Sequence, residues 1–392
     1  MEKNTEVSRV VLFVAKDISE VTHAEWKQWK FLNSSQNCYR SPLLEPEFAK
    51  LIASNNDHVR VIFGQVGEKI VSVFCGSGRV AGMVRPLGAP FDDYSGPLIA
   101  EGYQISMNDM LRAGGWHSYR GEGCATPEGV LMDAKFESRG YSFVAQIEDG
   151  SAAEYLAERW KDNPKRMKNF RRLSRKLDKD FDTVELRYGV NNPSDIQQLF
   201  NWKSNQFSKS GLVDVIEAEK SSTVLQAVSS VKYNEENNFG GYLIELRVNG
   251  ALVAGHFGLR SGENFHPWIS AYDPDHSELG PGIILLYRAI EAMDEMGLKS
   301  YDLSGGHDHY KKYFAKPSRE VGKLVYFRPT ILGTIQGVGF KSWNLFGTKN
   351  ENSIASRMRR RFDHLAICET RLMPRLKGFF EAFLKRHNTQ NS

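Results

Sequence analysis

The chain has 392 residues, of which 41% are hydrophobic and 25% charged, with a formal net charge of +4. That length predicts two or three domains, each large enough for its own core, with the composition of a soluble globular protein. A charge so near balance does not by itself call for nucleic acid, and no run approaches the roughly 18 apolar residues of a membrane span.

Residues 1–9 are polar and no apolar signal region follows them, which predicts a cytoplasmic protein. The four cysteines, Cys38, Cys75, Cys124 and Cys368, are scattered and form no Cys-x-x-Cys pair. That argues against zinc and a disulfide framework and for a reducing compartment. Along the first half, strands are predicted at 10–14, 59–65, 69–75, 116–120 and 141–146. Helices are predicted at 23–31, 46–52 and 105–112, with Gly114 and Gly115 as the stop of the last. Residues 88–96 form a turn-rich loop.

Residues 159–179 are strongly basic, with Met167, Phe170, Leu173 and Leu177 at helical spacing, and predict one amphipathic linker helix. Its charged face is a solvated surface, or an anionic-ligand surface beside a cleft: for a nucleotide-linked acceptor, the 3′-phosphate of coenzyme A, or tRNA. The second half then repeats the order of the first. A strand is predicted at 183–188 and helices at 193–207 and 218–232. Strands 242–248 and 252–260 join through Asn249 and Gly250, a type I′ hairpin signal. A further strand covers 265–271.

An acidic loop ends in Gly280, Pro281 and Gly282. A helix follows, with Ile283, Leu286, Ile290 and Met293 on one face, Pro281 at its start and Gly297 past its end. The last elements are a short strand at 301–303, a helix at 309–314 and a strand at 323–328. A glycine-rich segment, 332–341, and a basic segment, 354–385, with an Arg359–361 cluster, close the chain. The basic segment reads as a helix packed on the body, or as one lying on anionic lipid.

A shift of 182 positions superposes Val66 on Val248, Gly76 on Gly258, Gly115 on Gly297 and Tyr119 on Tyr301 without gaps. One offset aligns both the hairpin and the helix-stop-strand segment, which predicts two copies of one fold. The copies differ where chemistry would sit. Phe74 stands where the second copy has His256, Arg120 where it has Asp302, and Leu98 to Ala100 where it has Gly280, Pro281 and Gly282.

Glycines around Pro281 let backbone approach a ligand, and free N–H groups at a helix start suit a pyrophosphate. Alternation puts His256 among small residues on one strand face. It reads as a general base or an orienter of the acceptor, with a core histidine as the other possibility. Asp302, closing a strand beside Ser304, Gly305 and Gly306, is a second base candidate or a turn cap. Trp268 and Tyr272 read as packing or as an acceptor platform. No metal-spaced ligand set is present in the sequence.

The order of hairpin, glycine loop, Pro-Gly helix start, strand-Asp-x-x-Gly and Tyr-Lys resembles the GNAT acyltransferases. Within them it is similar to the CelD/BcsL type found near cellulose and exopolysaccharide genes, a branch related to the tandem FemAB-type aminoacyltransferases. The resemblance covers residues 240–316 most clearly and 40–190 more weakly. It implies an α/β (α+β) tandem duplicated GNAT fold with mixed central sheets flanked by helices. Its domains would be 1–155, a degenerate copy; 156–182, a basic linker; 183–330, the active copy; and 331–392, a basic helical tail.

The same resemblance implies acetyl-CoA or another acyl-CoA as co-substrate, with no tightly bound cofactor, held by Ser277, Gly280, Gly282, Ile283 and Lys311. Ser277 stands where the family pattern has Gln or Arg. Tyr310 takes the place of the tyrosine that protonates the departing thiolate, with Tyr313 as its rival. The implied acceptor is a sugar or small amine in surface polysaccharide biosynthesis. The alternatives are aminoacyl transfer from tRNA and a non-catalytic assembly factor.

Overall fold

The structure is a computed structural model. It describes residues 11–345 apart from 56–57, 211–213 and 307–309, together with 356, 359, 362 and 363. The chain forms two compact units. The first comprises the residues up to Leu87, Asp92–Gly140 and Glu320–Phe340, and the second Gly88–Phe91, Tyr141–Arg319 and the chain from Lys341 on.

The first unit begins with β1 (Leu12–Asp17), α1 (His23–Ser35), α2 (Pro46–Ala53), β2 (Val59–Val66), β3 (Lys69–Gly78) and β4 (Met83–Arg85). It continues with β5 (Leu98–Ile99), α3 (Met107–Ala113) and β6 (Ser118–Cys124). α1 starts where a capping box predicts: Glu25 N–H donates to Thr22 Oγ1, and Thr22 N–H donates back to the Glu25 carboxylate. Phe74, Trp116 and Tyr119 form the aromatic centre of this core.

The chain crosses into the second unit within β7 (Phe136–Gln146). There follow α4 (Ala152–Asp162), α5 (Pro164–Asp180), β8 (Val184–Tyr188), α6 (Pro193–Ser210), α7 (Glu219–Ser230), β9 (Phe239–Val248), β10 (Ala251–Ser261) and β11 (Asn264–Tyr272). α8 (Pro281–Glu291), β12 (Ser300–Asp302) and α9 (Lys311–Phe314) complete it; β13 (Lys316–Phe327) belongs to the first unit from Glu320 on, and α10 (Ile331–Leu345) comes last. The linker expected as one helix is two: Pro164 has no N–H to continue α4, and the chain turns at Asn163. α5 buries Met167, Phe170, Ser174 and Leu177. The glycine-rich stretch is helical, as α10. Most of the basic segment 354–385, and the expected helix start at residue 309, lie outside the described residues.

Both units have one topology. In the first, β1, β2, β3 and β4 are antiparallel neighbours, β4 and β6 pair parallel, and β13 closes the sheet antiparallel to β6. In the second, β8, β9, β10 and β11 are antiparallel neighbours, β11 and β12 pair parallel, and β7 lies antiparallel to β12. Each sheet thus takes its sixth strand from the other half of the chain. The 182-residue offset recurs in atomic detail. Trp116 N–H donates to Leu111 O at 2.9 Å, and Leu298 N–H to Met293 O at 2.8 Å, across Gly115 (φ 69°) and Gly297 (φ 65°). These are the same helix stop, with glycine in the left-handed region. The β9–β10 turn has Asn249 and Gly250 both at positive φ, the type I′ geometry that the dipeptide predicts.

Candidate functional site

The second unit's sheet forks. β11 and β12 pair only at Asn264 with Ser300 and Phe265 with Tyr301. β11 then continues to Tyr272, while the chain after β12 turns to β7: Leu303 N–H donates to Phe143 O at 2.8 Å, and Phe143 N–H to Ser304 O at 3.1 Å. Among the described residues no strand pairs with β11 on this side beyond Phe265. Along that side Ser270 O accepts from Lys203 Nζ at 3.3 Å, and Pro267 has no N–H to offer.

The first unit has the same fork and closes it with its own chain. β4 and β6 pair at Met83 with Ser118 and Val84 with Tyr119. Beyond them Ser95 bridges to Cys124, with Ser95 N–H donating to Gly123 O at 2.8 Å and Ala125 N–H to Ser95 O at 2.9 Å. A Cβ at Gly123 would lie 2.0 Å from Asp93 O, so glycine is what lets the plug come this close.

α8 begins at the open fork. Gly280 is left-handed (φ 67°) and caps the helix, Pro281 follows, and the N–H groups of Ile283 and Ile284 both donate to Gly280 O at 3.2 Å. Gly282 N–H has no acceptor among the described residues, which leaves the positive end of α8 one open donor. A Cβ at Gly282 would meet Tyr272 Cδ1 at 3.5 Å, so Tyr272, an exposed ring on β11, forms one wall of this entrance. Ser277 acts through its backbone, its carbonyl accepting from Gly280 N–H at 3.1 Å. Trp268, further back on β11, stacks on Phe91 with centroids 5.1 Å apart.

α5 lies along α8. Arg288 of α8 donates to Ser174 Oγ at 3.0 Å and to Asp178 at 2.6 Å, and Leu173 Cδ1 is 4.0 Å from the Cβ position of Gly280. The side chains of Lys165, Arg166, Lys168, Arg171, Arg172, Arg175, Lys176 and Lys179 on α5 are exposed. They form the face of α5 opposite its buried Met167, Phe170, Ser174 and Leu177.

His256 on β10 is buried, and its Nδ1 shares a hydrogen bond with the Tyr301 hydroxyl at 2.5 Å. Burial, helped by the nearby Lys203 ammonium, pulls its pKa down from 6.5 to about 3. The imidazole is therefore neutral near pH 7 rather than poised to titrate there. Tyr301 is itself fully buried, which pushes its hydroxyl pKa well up, and Tyr310 adds to that rise. His256, Tyr301 and Tyr310 thus form one neighbourhood. Tyr310, at the start of α9, is 37% exposed. Its rival Tyr313 packs on Phe170 under the Arg166 guanidinium.

Asp302 is buried. One carboxylate oxygen accepts from Ser304 N–H at 2.8 Å, and the other from Arg319 Nη1 at 2.7 Å. The buried His266 ring lies 3.6 Å from that second oxygen. Lys311 is buried as well, its ammonium donating to Gly305 O at 2.6 Å, so it holds the turn after β12. The expected residues therefore gather around one fork. Tyr301, His266, Lys203 and Arg319 were not singled out by the sequence. They come from three strands and a helix, and no spacing links them.

Residues 164–312, all within the second unit, match the model of the Acetyltransferase (GNAT) domain family. No curated protein matches the sequence. Among solved structures the chain is similar to FemX, at 10% identity and a TM-score of 0.55 over 83% of this chain and 99% of that one. That likeness shows a shared fold. Also similar are a tandem GNAT protein from the clavulanic acid biosynthesis pathway (9% identity, TM-score 0.45, 81% of this chain and 98% of that one) and a conserved protein of unknown function from Bacteroides thetaiotaomicron (13%, 0.46, 81% and 100%).

Proposed function

We propose that the second unit is an acyltransferase that moves an acyl group from a coenzyme A thioester to an amine or hydroxyl of a sugar or small acceptor. The observation that carries this reading is the open fork between β11 and β12, set at the glycine start of α8. The matching fork in the first unit is plugged. Gly280, Gly282 and Ile283 take the pyrophosphate on the helix start, with Ser277 shaping the loop and the α5 cations facing the remaining phosphate. The first unit serves as scaffold.

The reaction needs no covalent enzyme intermediate. The acceptor binds as the free amine, its nitrogen attacks the thioester carbonyl, and the oxyanion rests on β11 edge N–H groups. The nitrogen's proton leaves to solvent. The C–S bond breaks, and Tyr310 gives its proton to the thiolate and regains one from water. His256, neutral and tied to Tyr301, orients the acceptor. Asp302 has both oxygens engaged by Ser304 and Arg319 and fixes the fork wall, as Lys311 fixes the turn beyond it. Trp268 and Tyr272 form the acceptor platform. A cytoplasmic or membrane-peripheral setting in surface polysaccharide biosynthesis suits such an acceptor.

The exposed cations of α5 favour one second reading, aminoacyl transfer from tRNA in the same fork. Calorimetry with acetyl-CoA and then with aminoacyl-tRNA separates the two. Binding of acetyl-CoA supports the first, binding of the tRNA alone supports the second, and binding of neither removes both.

A further inference from the structure

α10 is built inside out. A helix packed on its own protein turns its large apolar residues inward; this one turns glycines inward. A Cβ at Gly333 would lie 2.2 Å from Arg328 O, and one at Gly337 would lie 3.3 Å from the Phe327 ring. Phe340 packs on Phe327, with centroids 5.6 Å apart, and Gln336 Nε2 donates to Ala81 O at 2.7 Å. These contacts seat the helix flush on the first unit.

The opposite face carries Ile331, Ile335 and Val338, which are 82%, 62% and 61% exposed. Their spacing of four and three residues puts them in one stripe. Leu332, half-exposed, widens it toward Gln336. Beyond Gln336, Val80, next to the Ala81 whose carbonyl it holds, is 86% exposed, and Met83, at the start of β4, is 39% exposed. Single exposed apolar residues need no explanation, but a contiguous set on one rigid helix marks a binding face.

Charge selects the occupant. Residues 321–350 contain no Asp or Glu; of their four cations Lys323 pairs with Glu122 and Glu137 and Arg328 donates to Asn108 and the Trp116 carbonyl, which leaves Lys341, at the end of α10, and Lys349, next after it in the sequence. The chain beyond, 351–392, adds nine Lys or Arg against four Asp or Glu. An apolar helix face within an acid-free, cationic stretch is complementary to a bilayer that presents anionic headgroups above hydrocarbon. The stripe from Ile331 to Val338 covers about one heptad, short of the three to four that sustain a coiled coil, so pairing with a second copy fits it less well. We propose that the outward face of α10, with Val80 and Met83 beside it, lies in the surface of an anionic membrane. No described helix is long and apolar enough to cross one.

The test is co-sedimentation of the full chain with vesicles of phosphatidylcholine and phosphatidylglycerol, and with vesicles of phosphatidylcholine alone. The variant is I331S/I335S/V338S, whose three side chains are exposed and so can change without a cost to the core. The wild type is expected to bind the mixed vesicles and to bind the neutral ones more weakly. The variant, with unchanged circular dichroism, is expected to lose on the order of tenfold or more in vesicle affinity as buried apolar area is removed. Absence of wild-type binding to the mixed vesicles overturns the proposal. So does equal binding by the variant, which would assign the membrane contact to the basic segment after α10. A wild type that dimerises in solution while the variant is monomeric also overturns it, and assigns the stripe to a second copy.

Discussion

Arg319 on β13 and Asp302 at the end of β12 form a buried ion pair, Nη1 to Oδ2 at 2.7 Å, with side chains only 5% and 4% exposed. The pair fixes the closed end of the fork. Replacing Arg319 by Leu leaves a buried carboxylate without its cation, a loss that typically costs about 3–5 kcal/mol. Chemical denaturation of Arg319→Leu should show that loss. Asp302→Asn, which keeps an acceptor for Ser304, should cost less. If Asp302 is a positioning residue, that variant lowers turnover without moving the pH profile. Loss of an ionising limb from the profile would instead make Asp302 the base.

Gly282 stands where donor and protein backbone would meet. The nearest atom to an added Cβ is Tyr272 Cδ1, at an ordinary contact distance of 3.5 Å, so Gly282→Val should fold. Its affinity for acetyl-CoA, read by calorimetry, should drop by on the order of tenfold or more, equivalent to about 1.4 kcal/mol. In a crystal structure of the complex, coenzyme A should lie at α8 in the second unit. Electron density for it at α3 of the first unit would refute the assignment.

Tyr310→Phe removes one hydroxyl and keeps the ring. If that hydroxyl protonates the thiolate, kcat falls by roughly 10²–10⁴ while donor affinity holds. Tyr313→Phe should leave kcat near normal, since that ring packs on Phe170. A reversal of the two results would exchange their roles.

His256 titrates near 3 in the folded chain and near its ordinary 6.5 when unfolded. The unfolded state therefore binds more protons between these values, and the contribution of His256 to stability, complete above about pH 6.5, is lost as pH falls toward 3. Thermal melts of the wild type should lose stability across that window more steeply than those of His256→Gln. The kcat profile should show no limb from His256 between pH 5 and 8. A limb near pH 6.5 that disappears in His256→Gln would make it a proton-accepting base.

Much of this arrangement is local and was legible. The type I′ turn at Asn249 and Gly250, the glycine stops at Gly115 and Gly297 and the Pro281 helix start are each set by a few neighbouring residues. The 182-residue offset carried the duplication. What could not be read is what long-range pairing makes. The approach of Arg319 to Asp302 depends on where β13 falls, and the plug at Ser95 is visible only once β4 and β6 are seen to part. The neutrality of His256 is likewise a property of its burial and of Lys203, three elements away in the chain. The break between α4 and α5 had its signal in Pro164, outweighed by an apolar periodicity that starts just after it.

The exchange of sixth strands bears on how such a gene can change. Duplicated copies ordinarily decay by deletion once one of them is redundant. Here deleting the first half would take β7 from the sheet that holds the open fork, leaving β12 as a raw edge, and deleting the second half would strip β13 from β6. Neither half can therefore disappear without opening the other's sheet, and the exchanged strands tie the two halves of the gene to one fate.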